Sequence, residues 1–167
     1  MVMEMPEAQA RIAEEAEKVL QTLLDLLEIP ASITVSGGFP VAGLAGAEDC
    51  ITLDISGEDL GILIGRRGQT LATLQYVVRL ITYHKTQATL PIVIDVEGYK
   101  RRRCEALRAL AWRMAEQVST RKVPFTLEPM PAFERRIIHL ALADHPQVTT
   151  ESTGVGDARK VVILPRK

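Results

Sequence analysis

Gly61-Ile62-Leu63-Ile64-Gly65-Arg66-Arg67-Gly68-Gln69-Thr70 is the stretch on which the reading of this chain turns. Two glycines bracket two arginines, and the segments on either side both carry helical patterning. Without a Cβ at Gly65 or Gly68, a bulky anionic ligand can lie against the peptide groups while Arg66 and Arg67 supply charge. No catalytic side chain sits in the stretch, so it reads as a binding loop. Because it joins two helices, it lies at a helix N-terminus, where free N–H groups and the positive end of the dipole favour phosphate. A tight helix-helix turn that uses glycine only for its positive φ is the plain structural alternative. A nucleotide-hydrolysing P-loop fits worse, since Gly65 is followed by Arg-Arg-Gly-Gln and not by Gly-Lys-Ser/Thr.

Upstream of the loop, Ile12, Ala16, Val19, Leu20, Leu23, Leu24 and Leu27 recur at three- and four-residue steps from Pro6 onward, which predicts an amphipathic helix with an acidic outer face. Ile33 and Val35, then Ile51, Leu53 and Ile55, alternate with polar residues as two strands, with a Gly-, Ala- and Pro-rich loop from Gly37 to Glu48 between them. A short helix ends near Ile64. After the loop a second runs to about His84, and Leu90 to Val96 reads as a third strand. A new long helix starts at Glu97-Gly98, where a domain boundary is expected; its stripe is Cys104, Leu107, Ala111, Met114 and Val118. Then come a short strand at Val123 to Leu127, a Pro129-Met130-Pro131 breaker, and a helix from Ala132 to Asp144. A closing hairpin pairs Val148 to Ser152 with Val161 to Leu164.

The chain has 167 residues, 47% of them hydrophobic, enough for a packed core in one domain or two small ones. Its net charge of −1 conceals a division. Residues 1 to 60 hold 2 Lys+Arg against 12 Asp+Glu, and residues 61 to 167 hold 18 against 9, so the reversal begins at the glycine loop. That pattern suits a basic face for a polyanion, although solvated faces that balance by chance give the same totals. Aromatics make up only 4%, so nucleic acid would be held more by backbone, arginine and aliphatic contacts than by stacking. Cys50 and Cys104 form neither a Cys-x-x-Cys nor a Cys/His cluster, so no disulfide framework, zinc site or other cofactor is expected. An acidic N-terminus without an apolar run, and no stretch of membrane-span length, lead to the expectation of a cytoplasmic protein.

The order helix, strand, strand, helix, Gly-x-x-Gly, helix, strand around Ile64-Gly65-Arg66-Arg67-Gly68 resembles a type II KH domain. Arg135-Arg136-Ile137-Ile138-His139 resembles the Arg-x-x-x-His motif of the R-three-H domain. Joined through Asp95-Val96-Glu97-Gly98-Tyr99-Lys100-Arg101-Arg102-Arg103, the two resemble the bacterial Jag family, also called KhpB or SpoIIIJ-associated, over about residues 20 to 167. The resemblance implies an α+β fold: a three-stranded KH sheet with helices on one face over residues 1–97, then a small R-three-H domain over 98–167. It implies a non-enzymatic single-stranded RNA-binding protein, a post-transcriptional regulator or RNA chaperone, in a family tied to cell-envelope and division control. Many members carry a further small N-terminal domain and linker, for which no counterpart is read here.

A KH loop of this kind clamps about four nucleotides of backbone. By analogy with the family, the binding set is Ile64, Gly65, Arg66, Arg67, Gly68, Gln69 and Leu71, with Ile62, Ile64, Leu71 and Ile94 walling a groove for bases. Arg135 and His139 share a helix face and could grip one phosphate or base edge, His139 more strongly at mildly acidic pH. From spacing alone a surface ion-pair helix is the favoured reading of that pair. Lys100 and Arg101, within the Lys100 to Arg103 run, could form an electrostatic funnel with Tyr99 as a stacking residue; a solvated first turn is the alternative. Cations at a helix start oppose the dipole, a cost an anion would offset. Arg159, Lys160, Arg166 and Lys167 could extend the path. Cys104 and Trp112 read as packing residues. His84 and His145 have no partners of the kind a triad or metal site requires, so no catalytic or metal constellation is expected. Single-stranded DNA stays open as a ligand. A protein adaptor, using the acidic helix or a sheet edge, stays open as a second function, and the family implies a small single-KH partner.

Overall fold

The structure is a computed structural model and describes residues 7–37 and 50–166. The chain divides into two compact units, with the division between Lys100 and Arg101.

The first unit opens with α1 (Glu7–Leu26), whose Ile12, Ala13, Ala16, Val19, Leu20 and Leu24 are buried along one stripe. Strands β1 (Ser32–Gly37), β2 (Ile51–Ser56) and β3 (Ile92–Val96) form a sheet in that order. β1 runs antiparallel to β2, and β3 parallel to it. The register sets Val35 opposite Leu53 and Leu53 opposite Ile94, so every second residue of all three strands points to one face. Helices α2 (Gly61–Ile64) and α3 (Gln69–Thr86) carry Leu63, Leu71 and Val78 into the same core. Leu20, Leu24, Leu53, Ile55, Leu71 and Ile94 are fully buried, each contributing about 1.5 to 3 kcal/mol. This is the expected α-β-β-α-α-β arrangement. The expected Gly37 to Glu48 loop lies, beyond Gly37, outside the described residues, as do the acidic residue Glu4 and the basic Lys167.

After β3 the backbone turns sharply: Glu97 and Gly98 both have positive φ, 50° and 67°. Asp95 Oδ1 accepts hydrogen bonds from the N–H groups of Val96 (2.9 Å) and Lys100 (3.0 Å), so this carboxylate caps α4 (Tyr99–Arg121). Gly57 N–H donates to Glu97 (3.1 Å) and Glu97 N–H to the Ile55 carbonyl (3.1 Å), which pins the turn to the end of β2.

In the second unit, Cys104, Leu107, Ala111, Met114, Ala115 and Val118 of α4 are buried. A sheet of order β4-β6-β5 is built from β4 (Phe125–Thr126), β5 (Val148–Thr153) and β6 (Lys160–Pro165), antiparallel throughout. Helix α5 (Ala132–Ala141) packs on β5 and β6 with Ile137 and Ile138 buried. It stops three residues before the Asp144 expected from sequence, because Leu142 leaves helical geometry (φ −112°, ψ 7°) and a turn follows. Trp112 is 49% exposed and lies tilted on the His145 ring at 5.2 Å, a partial rather than a core packing role. No helix among the described residues is long and apolar enough to cross a membrane.

Candidate nucleic-acid interface

The glycine loop is built by backbone geometry that favours glycine. Gly65 has φ 69° and ψ −173°, a region other residues avoid, and Gly68 is left-handed at φ 76°, ψ 12°. Arg67 between them is also left-handed (φ 55°, ψ 32°). Space is as restrictive as angle. A Cβ on Gly65 would sit 2.0 Å from Thr70 Oγ1 and 2.7 Å from Thr70 Cβ; one on Gly68 would sit 3.0 Å from Tyr99 Cε1. The single 3-10 turn at Arg66–Gly68 runs into α3, whose 18 residues start at Gln69. The N–H groups of Gly65, Gly68 and Gln69 donate to the carbonyls of Gly61 (2.9 Å), Gly65 (3.4 Å) and Arg66, so what the loop offers an anion is the positive end of α3 and the arginine side chains. Arg66 and Gln69 are exposed; Gly65, Arg67, Gly68 and Ile64 are half-buried.

Two residues expected beside the loop have other roles. Leu71 is 1% exposed and Ile94 fully buried; both point into the hydrophobic core, so neither can wall an open groove. The apolar surface left there is Ile62, 70% exposed, and half-buried Ile64. Tyr99 is packed against the core with its ring edge on Gly68, where it supports the loop from beneath instead of offering a stacking face.

The basic run is likewise divided by pairing. Lys100 Nζ donates to Gln75 Oε1 at 2.6 Å, and burial pulls its pKa down to about 8 against the opposing effects of Asp95 and Cys50. Its ammonium is thus turned inward, which corrects its place in an electrostatic funnel. Arg103 makes two hydrogen bonds to Glu134, Nε to Oε1 at 2.7 Å and Nη2 to Oε2 at 2.9 Å, with Glu134 only 3% exposed. Charge at the start of α4 therefore faces solvent at Arg101 and Arg102 alone among these four.

In the second unit, Arg135 and His139 lie one turn apart on α5 as expected. The imidazole is engaged at both nitrogens: Nδ1 lies 2.6 Å from Thr150 Oγ1 and Nε2 2.8 Å from Ser152 Oγ. A neutral ring fits this, donating to one hydroxyl and accepting from the other. Burial, then Arg135, then Arg159 hold the His139 pKa below its usual 6.5. That revises the expected pH response, since protonation in the unliganded protein needs more acidic conditions. Arg135 Nε is buried without a hydrogen-bond partner among the described residues. A donor left so carries a cost in the fold. Arg159 is exposed and close enough to His139 to influence it. Arg166 is exposed and Lys160 half-buried on β6.

Sequence reading did not single out Thr150, Ser152 or Gln75. The hydroxyls at 150 and 152 do carry a signal, being polar residues two apart on a strand beginning with buried Val148, so they face the α5 side. Gln75 carries none, because its partners Ile94 and Lys100 are 19 and 25 residues away.

Comparison with known proteins agrees with this architecture. A family profile described as the KhpA/KhpB KH domain matches residues 16–94, and one for the R-three-H domain matches residues 105–165. A protein of Clostridium symbiosum called RNA-binding protein KhpB is 36% identical over 152 residues, which is 91% of this chain and 65% of that protein. Its namesake in Bacillus subtilis is 33% identical over 156 residues, 92% of this chain and 71% of that protein. Another, from Lactiplantibacillus plantarum, is 37% identical over 116 residues, covering 70% of this chain and 36% of the relative. The chain thus spans about two thirds of the first two relatives and about one third of the third. With both domains present in this order and such identity across more than nine tenths of its length, the chain belongs to the Jag/KhpB family, whose members join a KH domain to an R-three-H domain.

Proposed function

We propose that this chain binds single-stranded RNA without acting as an enzyme, and that it serves as a cytoplasmic post-transcriptional regulator or RNA chaperone. The observation that carries the reading is the Gly65–Gly68 loop: two glycines at positive φ, each with little room for a Cβ, two arginines between them, and the start of α3 directly after. Phosphates of an extended strand would lie along the loop, held by the positive end of α3 and by Arg66 and Arg67, with bases turned toward Ile62 and Ile64. A second grip would come from the guanidinium of Arg135, half-buried on α5, with His139 one turn away. Arg101 adds charge. Two weak grips on one strand gain through effective concentration. The name RNA-binding protein KhpB, borne by the relatives, supports the choice of RNA. Single-stranded DNA is the competing ligand.

The test is a fluorescence-polarisation titration of a short unstructured RNA, competed with DNA of the same sequence and with duplex RNA. Single-stranded RNA is expected to compete best. Equal or better competition by the duplex would overturn the loop mechanism, and better competition by DNA would change the ligand.

A second reading, a protein adaptor with a small KH-domain partner, is supported by the exposed Tyr76, Leu80 and Tyr83, which recur along one side of α3. Deleting α1 cannot test it, since Leu20 and Leu24 are fully buried and the core would open. Glutamate at positions 76 and 83 together should leave RNA affinity intact and abolish any assembly detected by size exclusion.

A further inference from the structure

Among the described residues β3 is an edge strand, and its backbone groups alternate between β2 and the open side. Ile51 N–H donates to Pro91 O and Glu97 N–H to Ile55 O, so the odd-numbered residues of β3 face β2 and the N–H of Ile94 faces outward. That N–H is met by a side chain: it donates to Gln75 Oε1 at 3.0 Å, and the same oxygen accepts Lys100 Nζ at 2.6 Å. Two donors on one atom fix the orientation of the amide, because only the oxygen of a glutamine can accept. The Nε2 group is then forced to the other side.

Nε2 has no partner among the described residues. Among the described residues the buried side-chain polar atoms lacking partners are Asp54 Oδ1, Thr82 Oγ1 and Arg135 Nε, so Gln75 Nε2, which is not one of them, is open to solvent. It stands about 9 Å along α3 from Gln69, from six residues at about 1.5 Å each. Lys100, which holds its oxygen, follows Tyr99, the residue seated under Gly68. The amide and the glycine loop therefore share one end of the seam between α3 and β3.

We infer that Gln75 is a base-reading residue, presenting N–H donors, and only donors, to a base of the strand clamped at Gly65–Gly68. This rests on the loop being a nucleic-acid clamp. A fixed donor favours bases with keto oxygens on the exposed edge, uracil O4 or guanine O6, over cytosine or adenine, which place an amino group there. Discrimination should be modest, about five- to tenfold, as one neutral hydrogen bond gained against one donor–donor clash.

Two substitutions separate this from a structural role. Gln75→Glu keeps an oxygen for Ile94 N–H and Lys100 but replaces the outward donor with an acceptor. Gln75→Met removes both groups while keeping the length. The experiment titrates wild type, Gln75→Glu and Gln75→Met with oligouridine and oligocytidine of equal length, each protein first checked for folding by circular dichroism. Wild type is expected to prefer oligouridine by about five- to tenfold, Gln75→Met to lose the preference, and Gln75→Glu to reverse it toward oligocytidine, whatever its overall affinity. The inference is overturned if wild type binds both equally, or if the ratio stays the same in the folded variants while alanine at Arg66 and Arg67 still weakens binding. If no oligomer is bound, or alanine at Arg66 and Arg67 has no effect, the clamp reading fails and this inference with it.

Discussion

Gly65→Ala and Gly61→Ala are chemically the same change four residues apart, and the structure gives them opposite outcomes. At Gly61 a Cβ meets nothing within 4 Å, and the residue begins α2. Alanine there narrows the unfolded ensemble and favours the helix, worth about 0.4 to 1 kcal/mol of added stability. At Gly65 the backbone (φ 69°, ψ −173°) costs a residue with a Cβ about 1 to 3 kcal/mol. The added methyl also overlaps Thr70: rotating the side chain can move Oγ1 away from its 2.0 Å approach, but Thr70 Cβ at 2.7 Å and N at 3.0 Å move only with the helix. Overpacking of this kind adds about 1 kcal/mol or more. A total of about 3 kcal/mol would lower the melting temperature of a unit of this size by roughly 12 to 24 °C. Thermal unfolding followed by circular dichroism, with urea unfolding as a check on the slope, reads both variants against wild type. RNA affinity should fall in Gly65→Ala even well below its melting temperature, since the proposed clamp moves with the loop. If Gly65→Ala melts within a few degrees of wild type and binds equally well, the loop is not the strained, space-limited element described, and the reasoning fails.

Side-chain pairing elsewhere in the fold has consequences of its own. Arg103→Met strands the carboxylate of Glu134 in the second unit and should cost about 3 to 5 kcal/mol by urea unfolding, much of it recovered when Glu134 is also replaced by leucine. His139, with a folded pKa below its unfolded value of about 6.5, is stabilising in its neutral form. That stability is complete above pH 6.5 and declines as the pH falls toward the folded pKa, a slope that His139→Gln should abolish. A phosphate beside Arg135 and Arg159 offsets their charge, so the His139 titration midpoint followed by NMR should rise when RNA is added. Lys100, at about 8, favours its neutral form in the fold, so stability should climb between about pH 8 and 10.5, and Lys100→Met should remove that climb. The same variant should leave the salt dependence of RNA binding unchanged, whereas Arg101→Ala with Arg102→Ala should reduce it.

Much of this architecture was written in local pattern. The stripe Cys104, Leu107, Ala111, Met114 and Val118 is buried in full because a helix of 3.6 residues per turn leaves it no other arrangement beside a core. The alternation at Ile51, Leu53 and Ile55 likewise fixed which face of β2 is inward. The glycine loop was legible because glycine has few other reasons to bracket two arginines. Pairing across the chain was not legible. Lys100 and Arg103 look alike in sequence to Arg101 and Arg102, and only the fold brings Gln75 and Glu134, 25 and 31 residues away, to claim them. Leu71 and Ile94 could not be told from groove residues, since an apolar side chain reads the same whether a core or a ligand covers it. His139 was visible as the end of a motif, but Thr150 and Ser152 reach it through the hairpin register, which periodicity does not encode.

The proposed hold on phosphate at Gly65–Gly68 by Arg66 and Arg67 is the step on which the rest depends. The measurement that tests it most directly is the salt dependence of affinity for a short single-stranded RNA, compared between wild type and the variant carrying Arg66→Ala and Arg67→Ala. The slope of log affinity against log salt should become shallower by about 0.7 for each phosphate that is no longer neutralised, with affinity reduced at low salt and the fold unchanged. An unchanged slope and affinity in a folded variant would contradict that role for the two arginines.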